Sequence, residues 1–278
     1  MTATRPRRLP VAIPADAGEV EVDGPYPFVT RVSYRSPEGH RVTWSARRHR
    51  RAEGSGRDLT WWIGLLFAIG STCFVVGPLP GYVSAVGAHG DALTFFVGSL
   101  FFTTAGYLSY VQVVRTSGHR WVGWEPTVMG FWATLIQLVG TLWFNVTTFA
   151  ALATLDVTQA RRLIWWPDAL GSVCFLVSSG LAFAEAGHRW FSWRPGKRDW
   201  HITALNLWGS VFFGFSAVGA WILPDGDLLK ATWANGGTVL GAVCFLVAAI
   251  LTMPEGRVTK QEARPDGTDL SVGGGGGI

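Results

Sequence analysis

Charge is scarce in this chain of 278 residues: 19 acidic and 23 basic side chains make up 15% of it, and only three of the basic ones are Lys. Such sparse charge, set against an apolar half, argues against a soluble enzyme fold or a free nucleic-acid binder. Cysteine is rarer still. Cys73, Cys174 and Cys244 have neither CxxC nor Cys/His spacing, which excludes a disulfide scaffold and a zinc finger. Each reads as a small buried hydrophobe. The six histidines, His40, His49, His89, His119, His188 and His201, all lie outside the middle of the long apolar runs, which argues against a bis-histidine haem or an intramembrane metal centre. No phosphate loop, dinucleotide fingerprint, metalloprotease pair or Ser-His-Asp pattern occurs. Gly273 to Gly277 form only a flexible tail. No cofactor is expected.

What the chain does have is six apolar runs of about 20 residues, the length that spans a bilayer core of about 30 Å. They cover roughly residues 60–79, 92–114, 127–150, 165–187, 202–223 and 232–253, and none contains Lys or Arg. The expectation is an all-α integral membrane protein of six transmembrane helices, with a disordered tail over 1–25, a basic segment with a β-hairpin over 26–59, and a second disordered tail over 254–278. The N-terminal stretch is too polar for a secretory signal peptide. Twenty of the 23 basic residues fall on the side holding both termini; only Arg161, Arg162 and Lys230 fall on the other. The positive-inside rule then makes both termini cytoplasmic. Arg-rich, Gly-rich composition points to a bacterial plasma membrane. Eleven of the 15 Trp flank the spans, as amphipathic belt anchors do, whereas Trp132, Trp143 and Trp208 are expected deeper, between helices.

The spans repeat one motif. Gly70-Ser71-Thr72-Cys73-Phe74, Gly140-Thr141-Leu142-Trp143-Phe144 and Gly209-Ser210-Val211-Phe212-Phe213 lie in the odd spans. Gly98-Ser99-Leu100-Phe101-Phe102, Gly171-Ser172-Val173-Cys174-Phe175 and Gly241-Ala242-Val243-Cys244-Phe245 lie in the even ones. Every helix carries Gly, a small residue, and Phe four positions after the Gly. In lipid, small residues permit close backbone approach and hydroxyls bond across the contact. Phe at i+4 shares that face. The expected unit is a two-helix hairpin used three times, over 60–114, 127–187 and 202–253. All three enter the membrane in the same sense, as parallel repeats.

Gly64-Leu65-Leu66-Phe67-Ala68-Ile69-Gly70-Ser71-Thr72-Cys73-Phe74 resembles the core pattern of the YrhK-like membrane domain, a module of two transmembrane helices. The second and third hairpins depart from it at Thr141 and Ala242. The resemblance implies an architecture and no catalytic residues.

Polar groups inside spans are the functional candidates. Three residues before the motif Gly stand Phe67, Phe95, Gln137, Asp168, Asn206 and Thr238. A shared repeat position predicts that Gln137, Asp168 and Asn206 form one polar cluster, with Asn145 nearby. A mid-membrane carboxylate costs about 2.5–3.5 kcal/mol; alternatively, Pro167-Asp168 simply starts a helix. Glu185 is expected to pair with Arg189 at i,i+4.

Ahead of the first span, Phe28 to Tyr34 alternate, Ser36-Pro37-Glu38-Gly39 suits a type I turn, and Val42 and Trp44 resume the alternation, which predicts a β-hairpin. Arg47, Arg48, Arg50, Arg51 and Arg57 then crowd the membrane entry, as positive-inside anchors or as a site for anionic lipid. Two functions remain in view. One is a non-enzymatic helix-packing or assembly module in the bilayer, as a homo-oligomer or with a membrane protein partner and without nucleic acid. The other is a small-solute or ion transporter using Gln137, Asp168 and Asn206.

Overall fold

The computed structural model describes residues 9–10, 12–53 and 59–253. Arg57 and the segment 254–278 lie outside them. Six helices are long and apolar enough to cross a membrane. They are α2 (Leu59–Val76), α3 (Tyr82–Arg115), α4 (Met129–Ala150), α6 (Trp166–Gly187), α7 (Arg198–Gly219) and α8 (Ala231–Thr252). At 1.5 Å per residue, 22 residues reach about 33 Å. The chain is thus a multi-pass membrane protein. A short α5 (Val157–Ala160) and a π turn (Arg161–Trp165) lead into α6. Helix α3 bends at Gly87, whose φ of 76° interrupts the helical backbone.

Sequential helices pack as neighbours, and α8 returns to α2, which closes a ring. Helices α2, α4 and α7 leave the side of the N-terminal domain; α3, α6 and α8 return to it. Within each pair the motif glycines face their partner's aromatic ring. A Cβ on Gly70 would sit 2.7 Å from Phe102, one on Gly140 2.9 Å from Phe175, and one on Gly209 2.9 Å from Phe245. The return helices reciprocate: a Cβ on Gly98 would sit 3.1 Å from Phe74, one on Gly171 3.2 Å from Phe144 and one on Gly241 3.3 Å from Phe213.

The six phenylalanines meet on the axis of the ring. Phe74, Phe144 and Phe213 form one triangle, with centroids 6.0–6.5 Å apart. Phe102, Phe175 and Phe245 form a second, at 5.6–6.2 Å. Rungs of 5.5, 5.2 and 5.5 Å join the two triangles within each helix pair. The result is a triangular prism of rings, every one buried. Aromatic contacts of this kind contribute about 0.5–1.5 kcal/mol each beyond the area they bury.

Hydroxyls stitch the pairs to one another. Ser99 Oγ lies 2.9 Å from Thr148 Oγ1 between α3 and α4, and Ser210 Oγ lies 2.7 Å from Ser179 Oγ between α7 and α6. At the α8–α2 seam the corresponding Ser71 is fully buried and its Oγ has no partner among the described residues. Trp143 and Trp208 do not fill inter-helix space as expected. They stand 37% and 60% exposed on the outer, lipid-facing surface.

The N-terminal domain corrects two expectations. It is a three-stranded antiparallel sheet in the order β1 (Val20–Asp23), β2 (Arg31–Arg35), β3 (Arg41–Ser45), so part of the segment 1–25 is a strand. A third strand extends what would otherwise be a lone hairpin, which is marginal in water. The β2–β3 turn closes with Gly39 at φ 86°, donating to the Ser36 carbonyl. Helix α1 (Ala46–Glu53) follows at once.

The close helix approach yields a prediction. Gly209→Ala drives a methyl group into Phe245 and the Gly241 carbonyl, and is expected to destabilise by about 1–3 kcal/mol. Gly180→Ala, with open space around its Cβ, should be neutral or slightly stabilising. Helicity followed through an SDS titration in mixed micelles distinguishes the two; equal midpoints would refute the tight-contact account.

Candidate functional site

The prism divides the interior of the bundle. On the side of the N-terminal domain lies a cavity of about 150 Å³. Phe67 and Phe245 form its floor, Gln137 and Asn206 line it from the N-terminal halves of α4 and α7, and α1 lies across its mouth with Arg47, Arg50 and Arg51. The spacing i, i+3, i+4 puts these three arginines on one face of α1.

That face turns inward. Arg50 forms a fork-to-fork pair with Glu185, with Nη1 to Oε1 at 2.9 Å and Nη2 to Oε2 at 2.6 Å. Glu185 is 1% exposed. Gly130 makes room for the pair, because a Cβ there would collide with the Arg50 guanidinium. Arg51 Nη2 reaches Asp199 Oδ1 at 2.8 Å, and Arg47 Nη2 stands 3.8 Å from the same oxygen. Asp199 lies in the first turn of α7, where the helix dipole favours a carboxylate. On the wall, the Gln112 amide donates to Thr60 Oγ1 at 2.8 Å.

Several expectations change here. Glu185 does not pair with Arg189. His188 adopts the left-handed conformation at φ 59° and ends α6 at Gly187, so Arg189 leaves the helix and Arg50 takes its place. Three of the five arginines assigned to anchoring or anionic lipid are turned into the bundle; Arg48 is exposed, and Arg57 is outside the described residues. The predicted cluster is split. Gln137 and Asn206 line the cavity together, but Asp168 does not. Seventeen residues separate Asp168 from Glu185 on α6, about 25 Å of helix rise, which puts Asp168 at the far end of the bundle. The same offset before the motif Gly falls on opposite sides of the prism for outgoing and returning helices. Asn145, also beyond the prism, has a buried Oδ1 without a partner among the described residues.

Two signals could have located the site in advance. Gln112 and Glu185 each stand 14 residues after their motif Gly, and Thr60, Gly130 and Asp199 each stand ten before theirs. The loops Gly118-His119-Arg120-Trp121-Val122-Gly123-Trp124-Glu125-Pro126 and Gly187-His188-Arg189-Trp190-Phe191-Ser192-Trp193-Arg194-Pro195 share the pattern GHRWxxWxP. Both set the second Trp of the pattern against an aromatic ring of the next helix. Trp124 stacks edge-on against Phe131 at 5.3 Å, and Trp193 does so against Trp200 at 4.9 Å.

The sheet docks beside this site through Thr30, whose Oγ1 lies 3.0 Å from His188 Nδ1. Burial, with Arg31 and Arg194 adding repulsion, pulls the His188 pKa from 6.5 down to about 4. No protein-family model matches the chain, and no curated protein or solved structure is similar to it.

Two predictions follow from the docking groups. Glu185→Ala leaves Arg50 buried and unpaired, which should cost about 3–5 kcal/mol, whereas the double change Glu185→Leu with Arg50→Met should recover most of that. Thermal unfolding in detergent measures both, and an additive double mutant would count against the pair. For His188, the undocked form binds more protons than the docked form between pH 6.5 and 4, so docking is full above 6.5 and weakens as pH falls through that window. Hydrogen exchange of the β2 amides, corrected for intrinsic rate, should lose protection between pH 7.5 and 5, and His188→Asn should flatten the slope. Unchanged protection in the native protein would exclude it.

Proposed function

We propose that this protein is a non-enzymatic, self-packed membrane module built from three copies of a two-helix hairpin, related to the YrhK-like membrane domain. Both termini lie on the cytoplasmic face of a bacterial plasma membrane. The 20-to-3 distribution of basic residues and the position of the basic α1 on the terminal side support the orientation. The corresponding Gly–Phe contacts in all three hairpins, with the twinned GHRWxxWxP loops, support the repetition. Glu185 and Asp199, the acids beside the cavity, are both held by arginine, which leaves neither as a free general base.

The observation that carries the reading is the aromatic prism. It uses all six motif glycines for contacts within the chain and fills the axis where a pathway would run. A homo-oligomer or membrane partner would therefore use the outer surface, where Trp143 and Trp208 face outward. Transport is the second reading, favoured by the cavity that Gln137 and Asn206 share; its route to Asp168 would have to open the prism.

Proteoliposomes report the difference. The wild type should conduct no protons, potassium or chloride, whereas the triple change Phe74→Ala, Phe144→Ala, Phe213→Ala should leak. Flux through the wild type that Asn206→Leu abolishes would replace the self-packed reading with transport.

A further inference from the structure

Among the described residues the charge around the cavity does not balance. Arg50 is neutralised by a bidentate partner and Arg51 has Asp199 at 2.8 Å, but Arg47 has only the same Asp199 oxygen at 3.8 Å. Its Nε is buried and makes no hydrogen bond. Among the described residues three guanidinium groups thus face two carboxylates, and Arg47 is the one without a hydrogen-bonded carboxylate, in a space floored by phenylalanine rings. A buried cation without a hydrogen-bonded counter-charge is costly. The rest of the lining offers matching chemistry. Gln137 and Asn206 line the same cavity, and among the described residues neither side-chain amide has a hydrogen-bond partner. Each carries two N–H donors.

We propose that this cavity is a binding site for a small oxyanion, a carboxylate or a phosphate group, held between the Arg47 guanidinium and the amides of Gln137 and Asn206. A guanidinium is the side chain whose planar donors best match oxyanion geometry. The Arg47 guanidinium disfavours cations, and the amide N–H groups on the same lining can add hydrogen bonds to an oxyanion. The size fits as well: one water needs about 10–15 Å³ on this measure, so 150 Å³ admits a small polyatomic anion. The proposal is independent of whether the prism conducts, because the site lies wholly on one side of it.

The test is thermal unfolding of the full chain in an uncharged detergent, titrated at constant ionic strength with sodium phosphate and sodium acetate against sodium chloride. A saturable rise in Tm with phosphate or acetate, absent with chloride, is expected. Gln137→Leu and Asn206→Leu, which leave the α1 ion pairs intact, should each weaken it by about tenfold, and Arg47→Gln should remove it. The two amide variants keep the test decisive should Arg47→Gln fail to fold. A parallel titration with dioctanoyl phosphatidylglycerol against dioctanoyl phosphatidylcholine identifies the source. Stabilisation by the anionic lipid alone assigns the oxyanion to a headgroup, and stabilisation by free phosphate or acetate assigns it to a solute. If none of these ligands stabilises beyond chloride, or if all three variants keep wild-type affinity, the proposal fails.

Discussion

Everything in this bundle depends on one contact, a phenylalanine ring laid over a glycine on the facing helix. In lipid, apolar side chains gain little by leaving one hydrocarbon phase for another, so helices associate through close packing and interhelical hydrogen bonds. A motif glycine removes the Cβ and lets the opposing backbone approach, and the ring then occupies the notch at about van der Waals distance. Because the Phe follows the Gly by four residues, each helix offers notch and ring on one face, and a pair satisfies both contacts at once. The same geometry directs all six rings to the axis, so the device that joins two helices also builds the common core.

A core of rings fixes what the two ends of the molecule can be. The prism is built of phenylalanine rings, and among the described residues the charged and amide side chains of the interior stand above or below it. Above it, the outgoing helices contribute Gln137 and Asn206 while the returning helices contribute Gln112 and Glu185. Below it stand Asp168 and Asn145. Near the far end, the Trp165 indole donates to the Ala217 carbonyl and packs edge-on against Trp221 at 4.4 Å, while Arg161 donates to the Ile222 carbonyl. That end is tied by aromatic and backbone contacts; the other is tied by buried ion pairs.

The six spans and the packing face of each helix were legible in the sequence, because hydropathy and the Gly-x-x-x-Phe spacing are local properties of one segment. The grouping of Gln137 with Asn206 was legible for the same reason. Adding Asp168 to it was an error of direction: an equal offset from the motif Gly points up the bundle on α4 and α7 but down it on α6. The Glu185 pairing failed on a different ground. Local spacing offered Arg189, but a left-handed residue at His188 ended the helix, and the true partner lay 135 residues away in sequence. Strand β1 was hidden because Val20 to Asp23 are mostly exposed and gain their place only by pairing with β2.

What distinguishes the two ends is the single element that has no counterpart among the six long helices. Helix α1 brings three arginines over the cavity, and the bundle answers with two carboxylates at positions where the first hairpin has Thr60 and Gln112. Thr60 and Gln112 satisfy each other, as two neutral groups can. Glu185 and Asp199 cannot do so and require the cations that α1 supplies. Charge at the second and third hairpins therefore selects where α1 lies. Among the described residues, Arg47 is the inward-facing arginine of α1 that those two carboxylates hold least closely. A roof built only to close the cavity would need no third arginine on its inner face.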